Sequence, residues 1–151
     1  MGEANEPTVG NYARGLEVMA RLWGQDVAND MRRFWRSVHP DVERYITAFA
    51  LGEVWARPTL DLKTRSLICL ASAVVLERGD QIRLHTRGAL QNGATPAEVA
   101  ETIIQLMIYA GFPAAWQAMV IANQVIAEPP TPAESREGQT DQRARGGVET
   151  G

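Results

Sequence analysis

Between Trp55 and Pro113 the chain sets polar, ionisable side chains into a stretch that otherwise reads as apolar helix. Trp55-Ala56-Arg57-Pro58 comes first, then Thr64-Arg65-Ser66-Leu67, then the run from His85 to Gly93, and finally Tyr109-Ala110-Gly111-Phe112-Pro113. Two arginines (Arg57 and Arg65), a histidine (His85) and a tyrosine (Tyr109) among such helices call for compensation, because a polar group buried without a partner is costly. Groups of this kind also concentrate where ligands bind. A bound acidic ligand would supply the missing partner.

The elements that must carry these residues read almost wholly as helix. Tyr12, Leu16, Met19 and Trp23 recur at three- and four-residue spacing and predict a first helix ending near Gly24. Val42, Tyr45, Ile46, Phe49 and Ala50 mark a second, with Pro40 suited to its first turn and Pro58 as its stop. Asp61 caps a third through Leu67, Leu70 and Val74, apolar enough all round to be the central, buried one. Asp80 caps a fourth, which carries His85 and ends at Gly93. Thr95, Pro96 and Glu98 form a capping-box pattern ahead of a fifth, closed by Gly111. Pro113 opens a sixth reaching about Ala127.

Composition bounds what such a bundle can do. A chain of 151 residues with 45% hydrophobic content has enough for one helical core and not for two. We expect an N-terminal tail over 1–7, one helical domain over 8–127 and a disordered tail over 128–151, where Pro, Gly, Thr, Glu, Arg and Gln leave almost nothing apolar to bury. A net charge of −3, with basic residues interspersed among acids, argues against a nucleic-acid partner. Arg32, Arg33 and Arg36 form the densest basic cluster and read as a solvated helix face at least as well as a phosphate contact. No apolar run approaches the roughly 20 residues of a membrane span, and the first residues lack the pattern of a signal peptide, so a cytoplasmic protein with no membrane partner is expected. Cys69 stands alone and excludes an intrachain disulfide or a cysteine-pair metal site.

In order and spacing, Trp55-x-Arg57-Pro58, Thr64-Arg65-Ser66-Leu67, His85-x-Arg87-x-Ala89-x-x-x-Gly93 and Tyr109-Ala110-Gly111-x-Pro113-Ala114-Ala115 resemble the gamma-carboxymuconolactone decarboxylases across about residues 8–127. The resemblance implies an all-α subunit, a six-helix orthogonal bundle, assembled into a homo-oligomer (trimer or hexamer) with no metal and no organic cofactor. It also implies a small-molecule carboxylate or lactone substrate. The family reaction removes carbon dioxide from an unsaturated lactone acid. The electron pair left behind runs through the double bond into the lactone carbonyl, and the extended enolate so formed must be stabilised and protonated on carbon.

On that resemblance His85 is the general acid or the hydrogen-bond donor to the enolate, Arg57 and Arg65 hold carboxylates, and Trp55 and Tyr109 shape the pocket. Each has a structural rival: His85 as a simple hydrogen-bonder, Arg65 as a partner of Glu53, Asp61 or a neighbouring subunit, and the two aromatics as core. One position departs from the family pattern. Where the decarboxylases usually carry glutamate four residues before the histidine, this chain has Gln81, which shares a helix face with His85 but cannot carry a proton as a carboxylate does. That departure keeps two other readings open: a relative recruited to biosynthesis, catalysing cyclisation, isomerisation or proton transfer on a larger aromatic or polyketide-like substrate, and a non-catalytic oligomeric accessory protein. The related alkylhydroperoxidase D proteins use a Cys-x-x-Cys pair. Aligned on His85, those positions hold Arg78 and Gln81, which argues against peroxidase chemistry.

Overall fold

The computed structural model describes residues 6–129, and these are helices with short connections. In chain order they are α1 (Glu6–Trp23), α2 (Gln25–Val38), α3 (Pro40–Arg44), which runs on as a π-helical segment (Tyr45–Trp55), α4 (Leu62–Val75), α5 (Gly79–Gln91), α6 (Pro96–Ala110) and α7 (Phe112–Ala127). With α3 and its π-helical continuation taken as one rod, seven helices replace the expected six. The additional one is α2. Its sequence is so charged that apolar periodicity shrinks to Val27, Met31 and Trp35, a stripe of three at four-residue spacing that packs on the core cluster of α1.

Local signals otherwise place most helix ends. Thr95 and Glu98 close a reciprocal capping box on α6, with bonds of 3.1 and 2.7 Å. Asp61 accepts the Thr64 N–H at 2.7 Å at the start of α4. Gly93 and Gly111 take φ of +90° and +87°, a conformation that favours glycine. Asp80, expected as the cap of α5, lies instead inside the first turn, because the helix begins two residues earlier, at Gly79, with Arg78 at the cap position. Its charge still suits the helix dipole there. Nor is α4 buried all round: Leu70 and Val74 are fully enclosed, whereas Ile68 and Val75 are about half exposed, at 49% and 51%. Glu128, the first residue of the expected tail, pairs with Arg83 at 3.0 Å and with Arg87. The rest of that tail from residue 130 onward, and residues 1–5, lie outside the described residues.

The core has two parts. Val18, Met19, Leu22 and Trp23 of α1 pack with Leu51 and Leu62, while Leu70, Val74, Ile82, Ala89, Val99, Ile103 and the alanine face of α7 form the other cluster. The α5 helix belongs to both, through Leu84 on one side and Ile82 and Ala89 on the other. Two glycines bring α1 and the π-helical segment into backbone contact. A Cβ at Gly52 would lie 2.6 Å from the Asn11 carbonyl carbon, and one at Gly15 would lie 2.8 Å from that of Thr47.

A buried carboxylate locks the same corner. Glu43, 2% exposed, accepts from Tyr12 at 2.6 Å, Thr47 at 3.1 Å, Arg32 at 3.3 Å and Arg36 at 3.0 Å. Burial pushes this carboxyl up, but the four hydrogen bonds outweigh it and hold the group below the usual range. The basic cluster is therefore divided: Arg32 and Arg36 clamp Glu43 across elements, and the exposed Arg33 pairs with Asp30.

Candidate functional site

The π-helical segment ends at Trp55, where Ala56 donates five residues back to Leu51 at 3.0 Å. Wide turns of this kind are rare and recur at functional sites. The chain then leaves the helix as the loop Arg57–Asp61. This loop and α1 face one another across a cleft of about 400 Å³, with Arg14, Glu17 and Arg21 on the α1 side and Trp55, Arg57 and Asp61 on the other. The volume falls within the range of small-molecule pockets.

His85, on α5, is not among the residues lining this cleft and meets it only through Trp55. Its ring stacks on Trp55 with centroids 6.0 Å apart and planes 11° from parallel. The imidazole is half-buried, and burial holds its pKa below the ordinary 6.5, because the charged form is the one that loses hydration. At neutral pH the ring is therefore uncharged, with one N–H to donate. Gly88, one turn further along α5, lets that helix pack closely on α1 and α4: a Cβ there would meet Trp23 Nε1 and Ser66 Oγ, both at 3.3 Å.

The remaining sequence candidates fall in different places. Arg65 turns to the loop itself, donating to the carbonyls of Leu60 at 3.1 Å and Arg57 at 2.9 Å, so its guanidinium braces the wall that bears Arg57. These backbone partners replace the carboxylates suggested by its neighbours in sequence. Arg57 and Gln81 are exposed, and Gln81 is not among the residues lining the Arg57 cleft. Tyr109 is 73% exposed at the end of α6, beside the exposed Ile108, Phe112 and Trp116, and does not reach the cleft. Cys69 is half-buried, and burial raises its thiol pKa, which keeps it protonated. Arg87 of the His85 motif is committed to Glu128.

Three lining residues carried no signal in the sequence. Arg14, Glu17 and Arg21 recur at three- and four-residue spacing along one face of α1, a pattern any solvated helix face displays. What makes them part of a site is the π-helical segment packed beside them.

With this geometry in view, comparison with known proteins is specific. Residues 40–124 match the carboxymuconolactone decarboxylase family. The chain is 38% identical over 117 residues to the 4-carboxymuconolactone decarboxylase of Acinetobacter baylyi, covering 78% of this chain and 87% of that protein. It is 34% identical over 116 residues to the nitrosuccinic acid decarboxylase of Metarhizium robertsii, covering 76% and 80% respectively. An uncharacterised 15.0 kDa protein of Paracoccus denitrificans is 33% identical over 112 residues, covering 73% and 84%. The protein belongs to the carboxymuconolactone decarboxylase family.

Proposed function

We propose that the protein is a decarboxylase of an unsaturated lactone acid such as gamma-carboxymuconolactone, working without a cofactor through the enolate of its own substrate. The observation that carries this reading is Trp55, which lines the Arg57 cleft and also stacks on His85, a residue outside that lining. One aromatic ring thus joins the anion-binding group to the group that can donate a hydrogen bond.

Chemically, Arg57 binds the substrate as a carboxylate. When the carbon–carbon bond to the departing carboxylate breaks, its electron pair moves through the ring double bond onto the lactone carbonyl oxygen. The neutral His85 N–H supports the developing oxyanion without presenting a full charge, and a proton taken from water as the enolate collapses forms the new carbon–hydrogen bond, the hydroxide left being neutralised by solvent. Trp55 walls the site against water. Both named decarboxylase relatives act on acids with an electron sink, a lactone in one and a nitro group in the other, and a sink within the substrate explains how one scaffold serves both.

Gln81 supports a second reading. It cannot shuttle a proton, so a substrate other than the simple lactone acid, as in a recruited biosynthetic enzyme, fits a chain with an amide at this position. Incubation of the purified protein with gamma-carboxymuconolactone, followed by carbon dioxide release and ultraviolet absorbance, separates the two. Turnover that disappears in His85→Ala, and rises or falls in Gln81→Glu, is the expected result; no turnover by the wild type overturns the first reading. We also propose that the subunit assembles as a trimer or hexamer through exposed apolar side chains such as Ile108, Phe112 and Trp116, which are 70–75% exposed in the single chain.

A further inference from the structure

The cleft has two walls from separate parts of the chain. Trp55, Arg57 and Asp61 stand within residues 40–124, the segment that matches the family, whereas Arg14, Glu17 and Arg21 belong to α1, outside it. Residues 14 and 21 are two helical turns apart, roughly 10 Å along the axis. The α1 wall is held rigidly against the other, since Gly15 and Gly52 bring the backbones together and Glu43 ties Tyr12 of α1 to α3.

The charges in the cleft are not equally free. Asp61 is committed to the Thr64 N–H as the cap of α4, and Arg14 donates to Asn11 Oδ1. The guanidinium groups of Arg21 and Arg57 have no hydrogen-bond or carboxylate partner among the described residues, although each lies on a wall of one cavity. Glu17 precedes Arg21 by one turn on the same wall, so the free positive charge of α1 lies at its Arg21 end. Arg21 also stands at the end of α1 that meets α5: its backbone carbonyl accepts from Asn92 at 3.2 Å, and its neighbour Trp23 packs in one cluster with Trp55 and Leu84.

From this arrangement we infer that Arg21 is a specificity-determining residue: of the two carboxylates on a small diacid substrate, Arg57 takes one and Arg21 the other. The inference builds on the carboxylate-binding role proposed for Arg57, but it concerns binding and needs no turnover. A planar guanidinium engages a carboxylate through two parallel hydrogen bonds, so each of the two contacts adds its own increment of affinity and neither replaces the other. A monoanion satisfies one of them and leaves the second wall unused.

The test uses the full chain and two stable ring acids, furan-2,5-dicarboxylate and 2-furoate, titrated calorimetrically at low salt. The wild type should bind the dianion about tenfold more tightly than the monoanion, the increment of roughly one good ion-paired contact. Arg21→Ala should abolish that difference while changing 2-furoate affinity less than about twofold. Arg21→Lys, with charge but no planar fork, should recover only part of it. Arg14→Ala should leave both affinities in place. Unchanged thermal unfolding of these surface variants confirms that the fold is intact. Equal binding of the two acids by the wild type, or an Arg21→Ala chain that still prefers the dianion, overturns the inference. A chain that passes this test yet releases no carbon dioxide from the lactone acid refutes the proposed reaction alone.

Discussion

Gly52→Ala is the most direct test of the idea that backbone contact between α1 and the π-helical segment sets the width of the cleft. The new methyl carbon would lie 2.6 Å from the carbonyl carbon of Asn11. Carbon atoms in contact rest at about 3.5–4.0 Å and the carbonyl oxygen of Asn11 lies nearer still, so the two elements must separate by more than about 1 Å. The obstacle is backbone, and no rotamer change can relieve it. Overpacking of a core typically costs about 1–3 kcal/mol, and a backbone obstacle places this case near the upper end. For a domain of this size, about 3 kcal/mol corresponds to a fall in Tm of roughly 10 °C. The functional effect is separate, because a displacement of about 1 Å between groups that position a substrate can lower kcat/KM by about 100-fold. Gly10→Ala is the matched control: it lies in the same helix, a methyl group there would meet nothing within 4 Å, and the added helix propensity should leave stability unchanged or slightly higher. Urea denaturation followed by circular dichroism, alongside substrate turnover, measures both effects. A Gly52→Ala protein within about 0.5 kcal/mol of wild type, with unchanged kcat/KM, would refute the claim that this contact fixes the site.

Two further outcomes follow from the site. Burial lowers the His85 pKa below 6.5, so on acidification the unfolded chain takes up its proton first; the stability His85 contributes is complete above about pH 6.5 and is lost as pH falls through the folded-state value. An NMR titration, with the signal assigned through His85→Asn, should give a midpoint below 6.5 in the free protein and a higher one with a bound dianion; a free-protein midpoint at or above 6.5 contradicts the burial argument. Arg65→Lys should free the loop, because an ammonium on a flexible stem cannot reproduce both the 3.1 Å and 2.9 Å bonds to Leu60 and Arg57. We expect faster hydrogen exchange over residues 57–61, a KM raised several-fold and a stability loss of about 1 kcal/mol. Unaltered exchange and KM would mean that Arg65 does not brace the wall.

Much of the fold is written locally. The capping box at Thr95 and Glu98, the cap at Asp61 and the left-handed glycines at 93 and 111 act through neighbours three or four residues away, so the sequence alone places those helix ends. The motif spacing likewise identifies the family to which the chain belongs. Other features have no local signature. The α2 helix is held by a sparse stripe and by Arg32 and Arg36 closing on Glu43, partners 11 and 7 residues away that only the folded chain brings together.

What the residues do was decided by tertiary structure. Arg57 and Arg65 have the same side chain and stand eight residues apart, yet one faces a cleft and the other is spent on backbone carbonyls, because only the loop's path determines which guanidinium meets an unpaired carbonyl. Arg14, Glu17 and Arg21 look like any solvated face until α1 comes to rest against the π-helical segment. Residue types and spacing determine which helices form and what chemistry the chain can offer, since those depend on interactions within a turn or two. Which of those groups share a cavity depends on close packing between elements distant in sequence, and here that packing is set by Gly15 and Gly52.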